Sequence, residues 1–279
     1  MNKLFLILFL VLINNLNAQS LRLMSYNIRL DVDSDGENAW TLRKDFWNSQ
    51  VQFYEPDILG IQEVTPRQVK DISGGLSGYS FIGVGRDGIG KGESSNIFYK
   101  TGRLLLISSN TFWLSETPDT ISKGWDAAFN RVCSYGLFKD KITKRKFWVF
   151  NTHLDHMGEV ARTKGIELIL SRISLLNQKN YPVFFMGDFN SEPGTERIKA
   201  LKKEMDDCRE VSLEKPFGPS GTFNSFKHNE AVTKLIDYIF ITKNGNISVE
   251  KYAVLSDSKE LKYPSDHLPV FVQIKFIKK

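Results

Sequence analysis

Polar residues stand at the exits of six short apolar runs, and their types suit attack on a phosphate ester. The run 23–26 ends in Asn27, 58–62 ends in Glu63, and 147–150 leads to Asn151 and His153. The run 183–187 ends in Asp188 with Asn190 two residues on; 235–236 leads to Asp237, and Pro264-Ser265 leads to Asp266 and His267. Singly, each has an ordinary reading. Asp and Asn favour turns, a Glu after a strand caps a helix, and a lone His is more often structural than catalytic. Six such exits on one chain, with three of its four histidines at or beside them, are hard to assign to turns.

Glu63 is a hard oxygen ligand of the kind magnesium takes alongside water and substrate oxygens. Such a cation neutralises phosphoryl charge and stabilises the leaving oxygen. Asp188 and Asn190, two apart in an extended segment, project to one side. A carboxylate there can accept a proton from water while the amide fixes orientation. His153 and His267 can donate hydrogen bonds to non-bridging phosphate oxygens, and Asp237 is the natural carboxylate to hold His267 by its other nitrogen.

The elements that must position these groups are mostly strands. Ten short runs between Leu21 and Phe276 have the length, the β-branched and aromatic content and the flanking turn residues of strands. Helical spacing predicts helices over 42–54, 160–176 and, more weakly, 195–205. Many strands with few helices imply stacked sheets faced by helices rather than a simple βαβ repeat. No linker or repeat divides the chain, so residues 19–279 are expected to form one domain. With 41% hydrophobic and 25% charged residues, a disordered or collagenous chain is excluded. The charge of +5 permits a polyanionic partner and names none.

Residues 1–18 have the grammar of a secretory signal peptide: a basic start at Lys3, an apolar run over 4–13, and a small-residue cut between Ala18 and Gln19. That run is too short for a bilayer span, which takes about 20 residues. An exported protein without a stable membrane span, acting as a monomer, is expected. Export permits a disulfide between Cys133 and Cys208, although nothing in the spacing favours one.

Three motif matches are weak, and a fourth competes. Residues 83–88 match GxGxxG and 85–91 match GxxxxGK, but no helix start follows and Gly92 replaces the Ser or Thr that would hold magnesium. Asp31, Asp33 and Asp35 open like a calcium loop, yet Leu42 stands where a bidentate Glu belongs. The segment 151–156 (NTHLDH) is one change from a zinc motif, HxHxDH, and a zinc hydrolase stays open as an alternative.

The ordered segments SYNIR, GIQEV, NTHLDH, GDFN, DYIF and PSDHLPV resemble the signature set of the endonuclease/exonuclease/phosphatase superfamily, in family order from about residue 21 to 274. The resemblance implies a four-layer αββα sandwich, two mixed β-sheets face to face with helices outside. It implies magnesium or manganese held by Asn27, Glu63 and Asp266, and catalytic roles for His153, Asp188, Asn190, Asp237 and His267. Arg131, Asn151 and Arg162 are implied to bind substrate, as in bacterial hydrolases near the deadenylase branch. His156 and Asp155 would support His153, while Glu93 and Tyr99, flanking the strand after the glycine loop, are expected to line the pocket.

A phosphate-ester substrate is expected, nucleic acid foremost, with hydrolysis by a phosphodiesterase or nuclease. The alternatives are a phosphatase or phospholipase acting on inositol phosphates, sugar phosphates or lipid headgroups, and a binding module that keeps the fold without catalysis. No basic-aromatic stretch suited to single-stranded nucleic acid is present, and the segment before Asp237 lacks the PSWCDRI-like pattern of inositol phosphatases.

Overall fold

The computed structural model describes residues 20–243 and 246–277. The leader 1–18 and its cut lie outside them. The first sheet contains β1 (Ser20–Asn27), β2 (Ile58–Val64), β3 (Tyr79–Ile82), β4 (Ser94–Lys100), β11 (Ile247–Val254) and β12 (Val270–Phe276), in the order β11-β12-β1-β2-β4-β3. The second contains β5 (Leu104–Trp113), β6 (Val132–Asp140), β7 (Lys146–His153), β8 (Val183–Asp188), β9 (Met205–Asp207) and β10 (Asp237–Thr242), in the order β5-β6-β7-β8-β10-β9.

Each sheet has one parallel pair, β1 with β2 and β7 with β8, among antiparallel neighbours. A parallel pair needs a crossover. Helices α1 (Trp40–Tyr54) and α3 (Glu159–Leu176) supply the two crossovers, while α2 (Pro66–Gly75) and α4 (Glu196–Glu204) complete the outer layers. The architecture is the expected αββα sandwich.

Strand alternation builds its three apolar layers. Leu21, Leu23, Val149, Phe184, Met186 and Ile239 point between the sheets. Met24 and Tyr26 turn outward against Trp40 and Trp47 of α1, with the Tyr26 and Trp47 rings 5.8 Å apart. Phe150, Phe185 and Phe240 turn outward against Ile166, Ile169 and Leu201 of α3 and α4. Burying each large apolar side chain stabilises by about 1.5–3 kcal/mol, so these layers supply the rigidity on which the polar strand exits depend. Tyr99, expected at the pocket, lies in the inter-sheet layer instead, on the same side of β4 as Ile97. Cys133 and Cys208 are both buried and free.

Helix α2 has no counterpart in the helical spacing. A capping box starts it: the Gln68 N–H donates to Thr65 Oγ1, and Gln68 Oε1 accepts the Thr65 N–H, with Pro66 in the first turn. No helix among the described residues is long and apolar enough to cross a membrane.

Candidate active site

The two-residue period that fills the inter-sheet layer, extended past the apolar positions of four strands, reaches polar residues. After Leu21 and Leu23 the inward series of β1 arrives at Asn27; after Phe147 and Val149, that of β7 arrives at His153. Phe184 and Met186 precede Asp188 in β8, and Asp237 opens the series that continues as Ile239 and Ile241 in β10. In the second sheet His153 pairs with Asp188 and Asp188 with Asp237, so three of the expected site residues stand abreast on adjacent strands. Across the layer Asn27 Nδ2 donates to Asp188 Oδ2 at 3.0 Å, joining the two sheets at one end.

Glu63 breaks this rule. Counting from Ile58, alternation turns Glu63 toward the helices. Its φ of 62° and a register break between Ile61 and Val64 bring the carboxylate back. Asn27 Nδ2 then donates to Oε1 at 3.0 Å, and the Leu30 N–H to Oε2 at 3.1 Å. Asn27 Oδ1 accepts the Arg29 N–H at 3.0 Å. Asn27 therefore bridges two carboxylates through its nitrogen, while its Oδ1 accepts one hydrogen bond.

His267 comes from the loop before β12. Its Nδ1 meets Asp237 Oδ2 at 2.8 Å and its Nε2 lies 3.8 Å from Asp188 Oδ2. Burial works against the charged ring, but the field of Asp237, the hydrogen bond to it, and Asp188 and Asp266 raise its pKa to about 10. Asp188 moves the other way from a carboxylate's habit: burial and the neighbouring Asp237 raise it to about 7. His153 Nε2 lies 3.5 Å from Asp188 Oδ2, yet burial, Arg131 and His267 hold this ring well below the usual histidine range, so it is neutral.

Asn190 reaches the site by a turn rather than along an extended strand, since β8 ends at Asp188 and Asn190 has a φ of 44°. Its N–H donates to Asp188 Oδ1 at 2.8 Å. Its Nδ2 donates to the Leu154 carbonyl and meets His153 Nε2, both at 3.0 Å. The neutral His153 ring accepts there and carries its proton on Nδ1.

A cleft of about 500 Å³ opens over these groups, lined by Glu63, Arg131, His153, Asp188, Asn190, Asp266 and His267 among others. Asp266 faces it with its carboxyl raised by burial; His267 opposes that shift and Glu63 adds to it. Asn151 and Arg162 do not line the cleft. Asn151 is buried between the sheets, where its amide donates to the carbonyls of Ile61 and Asn96 and accepts from Gln62 Nε2. Arg162 donates to the Asp155 carbonyl and pairs with Glu159. Both side chains hold elements together away from the cleft, rather than facing it as expected. Arg131 does reach the cleft, braced by Asp155 at 3.2 Å and by His156 Nδ1 at 3.1 Å. With a guanidinium donating to its ring nitrogen, His156 is unsuited to zinc.

Arg43, on the buried face of α1, is a positioning residue that sequence reasoning missed. Its guanidinium donates to the carbonyls of Ile28, Arg29, Asn38 and Pro264, tying the loop after β1 to the loop that carries Asp266 and His267. The available signal was an arginine between Trp40 and Trp47 on the apolar face of a helix.

The donor set suits a divalent cation. Four carboxylates converge, Asp237 Oδ1 is buried with no hydrogen-bond partner, and Asp188 resists ionisation beside Asp237. Ligand atoms of Asp188, Asp237 and His267 all lie within 4.8 Å of one another. The short His267–Asp237 contact already uses one nitrogen of that trio. Glu63 keeps outer lone pairs on both oxygens.

The sequence model described as Endonuclease/Exonuclease/phosphatase family matches residues 24–267. A crystal structure of an endonuclease/exonuclease/phosphatase family protein from Bacteroides thetaiotaomicron superposes with a TM-score of 0.88 and 38% identity, covering 93% of this chain and 99% of that one. A mannosyl-6-phosphatase from Bacteroides thetaiotaomicron VPI-5482 gives a TM-score of 0.86 and 39% identity over 92% of this chain and 100% of its own. Among curated proteins, an uncharacterised protein of Acanthamoeba polyphaga mimivirus is 29% identical over 161 residues, covering 55% of this chain and 60% of its own. The chain spans less than two thirds of the length of the curated relatives it matches.

Proposed function

This chain belongs to the endonuclease/exonuclease/phosphatase family, and from that premise we propose that its cleft hydrolyses phosphate monoesters of small hydroxylated compounds, sugar phosphates first, with magnesium or manganese. Members of the family are phosphoester hydrolases. The observation that carries the catalytic reading is the junction of Asp188 with Asn27, Asn190, His153 and His267 at the end of both sheets.

When bound, a divalent cation neutralises phosphoryl charge and stabilises the departing oxygen. Glu63 and Asp266 would hold it, with Asn27 fixing the Glu63 carboxylate. Asp188, with a pKa of about 7, can take a proton from water at neutral pH. The Asn190 N–H on Oδ1 and the Asn27 amide on Oδ2 keep that carboxylate in place. His267 stays cationic, held by Asp237 through Nδ1, and presents its Nε2 proton where phosphoryl charge grows. Neutral His153 adds a polar group without adding charge.

Two observations support a small substrate. The cleft volume of about 500 Å³ is that of a small-molecule site, and a mannosyl-6-phosphatase is 39% identical over nearly the whole chain. A panel of hexose 6-phosphates, inositol phosphates, a choline-headgroup lipid and supercoiled plasmid, each with magnesium, tests the choice. Phosphate release from a hexose 6-phosphate is expected to exceed the others by at least roughly tenfold in kcat/KM. Plasmid nicking without sugar-phosphate turnover would assign the site to diesters instead.

A further inference from the structure

The glycine-rich segment 83–92 is a tight hairpin. Gly85 bridges to Gly88 and to Ser94, and a Cβ on Gly85 would sit 2.0 Å from the Lys91 carbonyl oxygen. At its neck the Arg86 N–H donates to the Glu93 carbonyl at 2.8 Å, which places the two side chains opposite each other. Arg86 Nη2 and Glu93 Oε1 lie 2.7 Å apart, and both side chains line the cleft beyond His153. The Arg86 guanidinium rests 4.7 Å over the Phe129 ring, and that ring stacks on His156, which Arg131 holds. The wall is thus built before any ligand arrives, and nothing in the attack on phosphorus requires it.

Its charge balance limits what it can bind. Glu93 neutralises Arg86, and Asp155 neutralises Arg131. A second phosphate would meet no uncompensated cation there. An alkyl chain would have to bury the ion pair without replacing its hydration, which is unfavourable. A carboxylate beside a guanidinium instead offers an acceptor and donors side by side, the pattern that neighbouring hydroxyls on a ring satisfy.

We propose that Arg86 and Glu93 form a leaving-group subsite that binds adjacent hydroxyls of the sugar whose phosphate lies at His153 and His267. This assignment rests on the phosphomonoesterase reading above. Glu93→Gln and Arg86→Ala, each checked for an unchanged melting temperature, are compared with wild type on a hexose 6-phosphate and on p-nitrophenyl phosphate, whose leaving group has no ring hydroxyls. The ratio of kcat/KM for the sugar ester to that for the aryl ester is expected to fall about 10–100-fold in both variants, because polar groups covered by the bound sugar then lack their partners. Arg86→Lys, which keeps the ion pair, is expected to recover part of the ratio. Equal losses on both esters, or no loss on either, overturn the subsite. Wild-type protein that cleaves the aryl ester but no sugar phosphate also overturns it and leaves the hydrolase reading standing, whereas failure on both esters defeats that reading itself.

Discussion

Asp188→Asn is expected to lower kcat on the order of 10³-fold while the protein stays folded. The substitution keeps shape and removes the proton acceptor, and a positioned general base supplies about 10²–10⁴ of rate. Its effect on stability has a defined sign. Burial and Asp237 raise Asp188 to about 7, above the ordinary value of 3.8, so its negative charge destabilises the metal-free fold as pH rises through that range. Asparagine removes that cost at neutral and alkaline pH, although one amide oxygen must now serve the donors from Asn27 and Asn190. The melting temperature of the metal-free variant above pH 7 is therefore expected to equal or exceed that of wild type. Loss of activity accompanied by a collapse in stability would mean that Asp188 is chiefly structural.

Glu63→Gln is expected to raise the magnesium concentration for half-maximal activity by at least 10–100-fold, on the order seen when metal-site partners are removed. Glutamine still accepts one of the two hydrogen bonds from Asn27 and Leu30, so the bulge that turns residue 63 toward the cleft should persist. The charge is lost, together with one of those two hydrogen bonds. A magnesium titration of hydrolysis, read beside calorimetric binding, checks this. An unchanged half-saturation point in both would remove Glu63 from the metal site.

Much of this arrangement is legible in the chain because strand exits obey arithmetic. Apolar inward positions in β1, β7, β8 and β10 predict, by a period of two, that Asn27, His153, Asp188 and Asp237 share one layer. Sequence alone does not show that Asp188 stands between His153 and Asp237, because strand order is set by long-range pairing. Departures from regular backbone are equally hidden. The bulge at Glu63 and the turn at Asn190 depend on left-handed residues that are not glycine. Strand β11 escaped notice because a second bulge, between Val249 and Lys251, breaks the alternation of an already charged segment. Asn151 sits in a motif segment and Arg162 on the helix after it, the stretch that suggests substrate contact. Which polar side chain faces the ligand and which staples the scaffold depends on neighbours from distant strands, here Gln62 and Asn96 for Asn151. The glycine segment shows the converse, since a false nucleotide motif turns out to shape the neck that sets Arg86 against Glu93.

The most direct test of metal-assisted hydrolysis at this cleft is phosphate release from a hexose 6-phosphate in ¹⁸O-enriched water, run with magnesium, with EDTA, and with magnesium restored. The expected result is inorganic phosphate carrying one solvent oxygen, formed with magnesium, abolished by EDTA and recovered on readdition. Release that EDTA leaves undiminished, or phosphate without solvent oxygen, would contradict attack by water on phosphorus at a divalent-cation site.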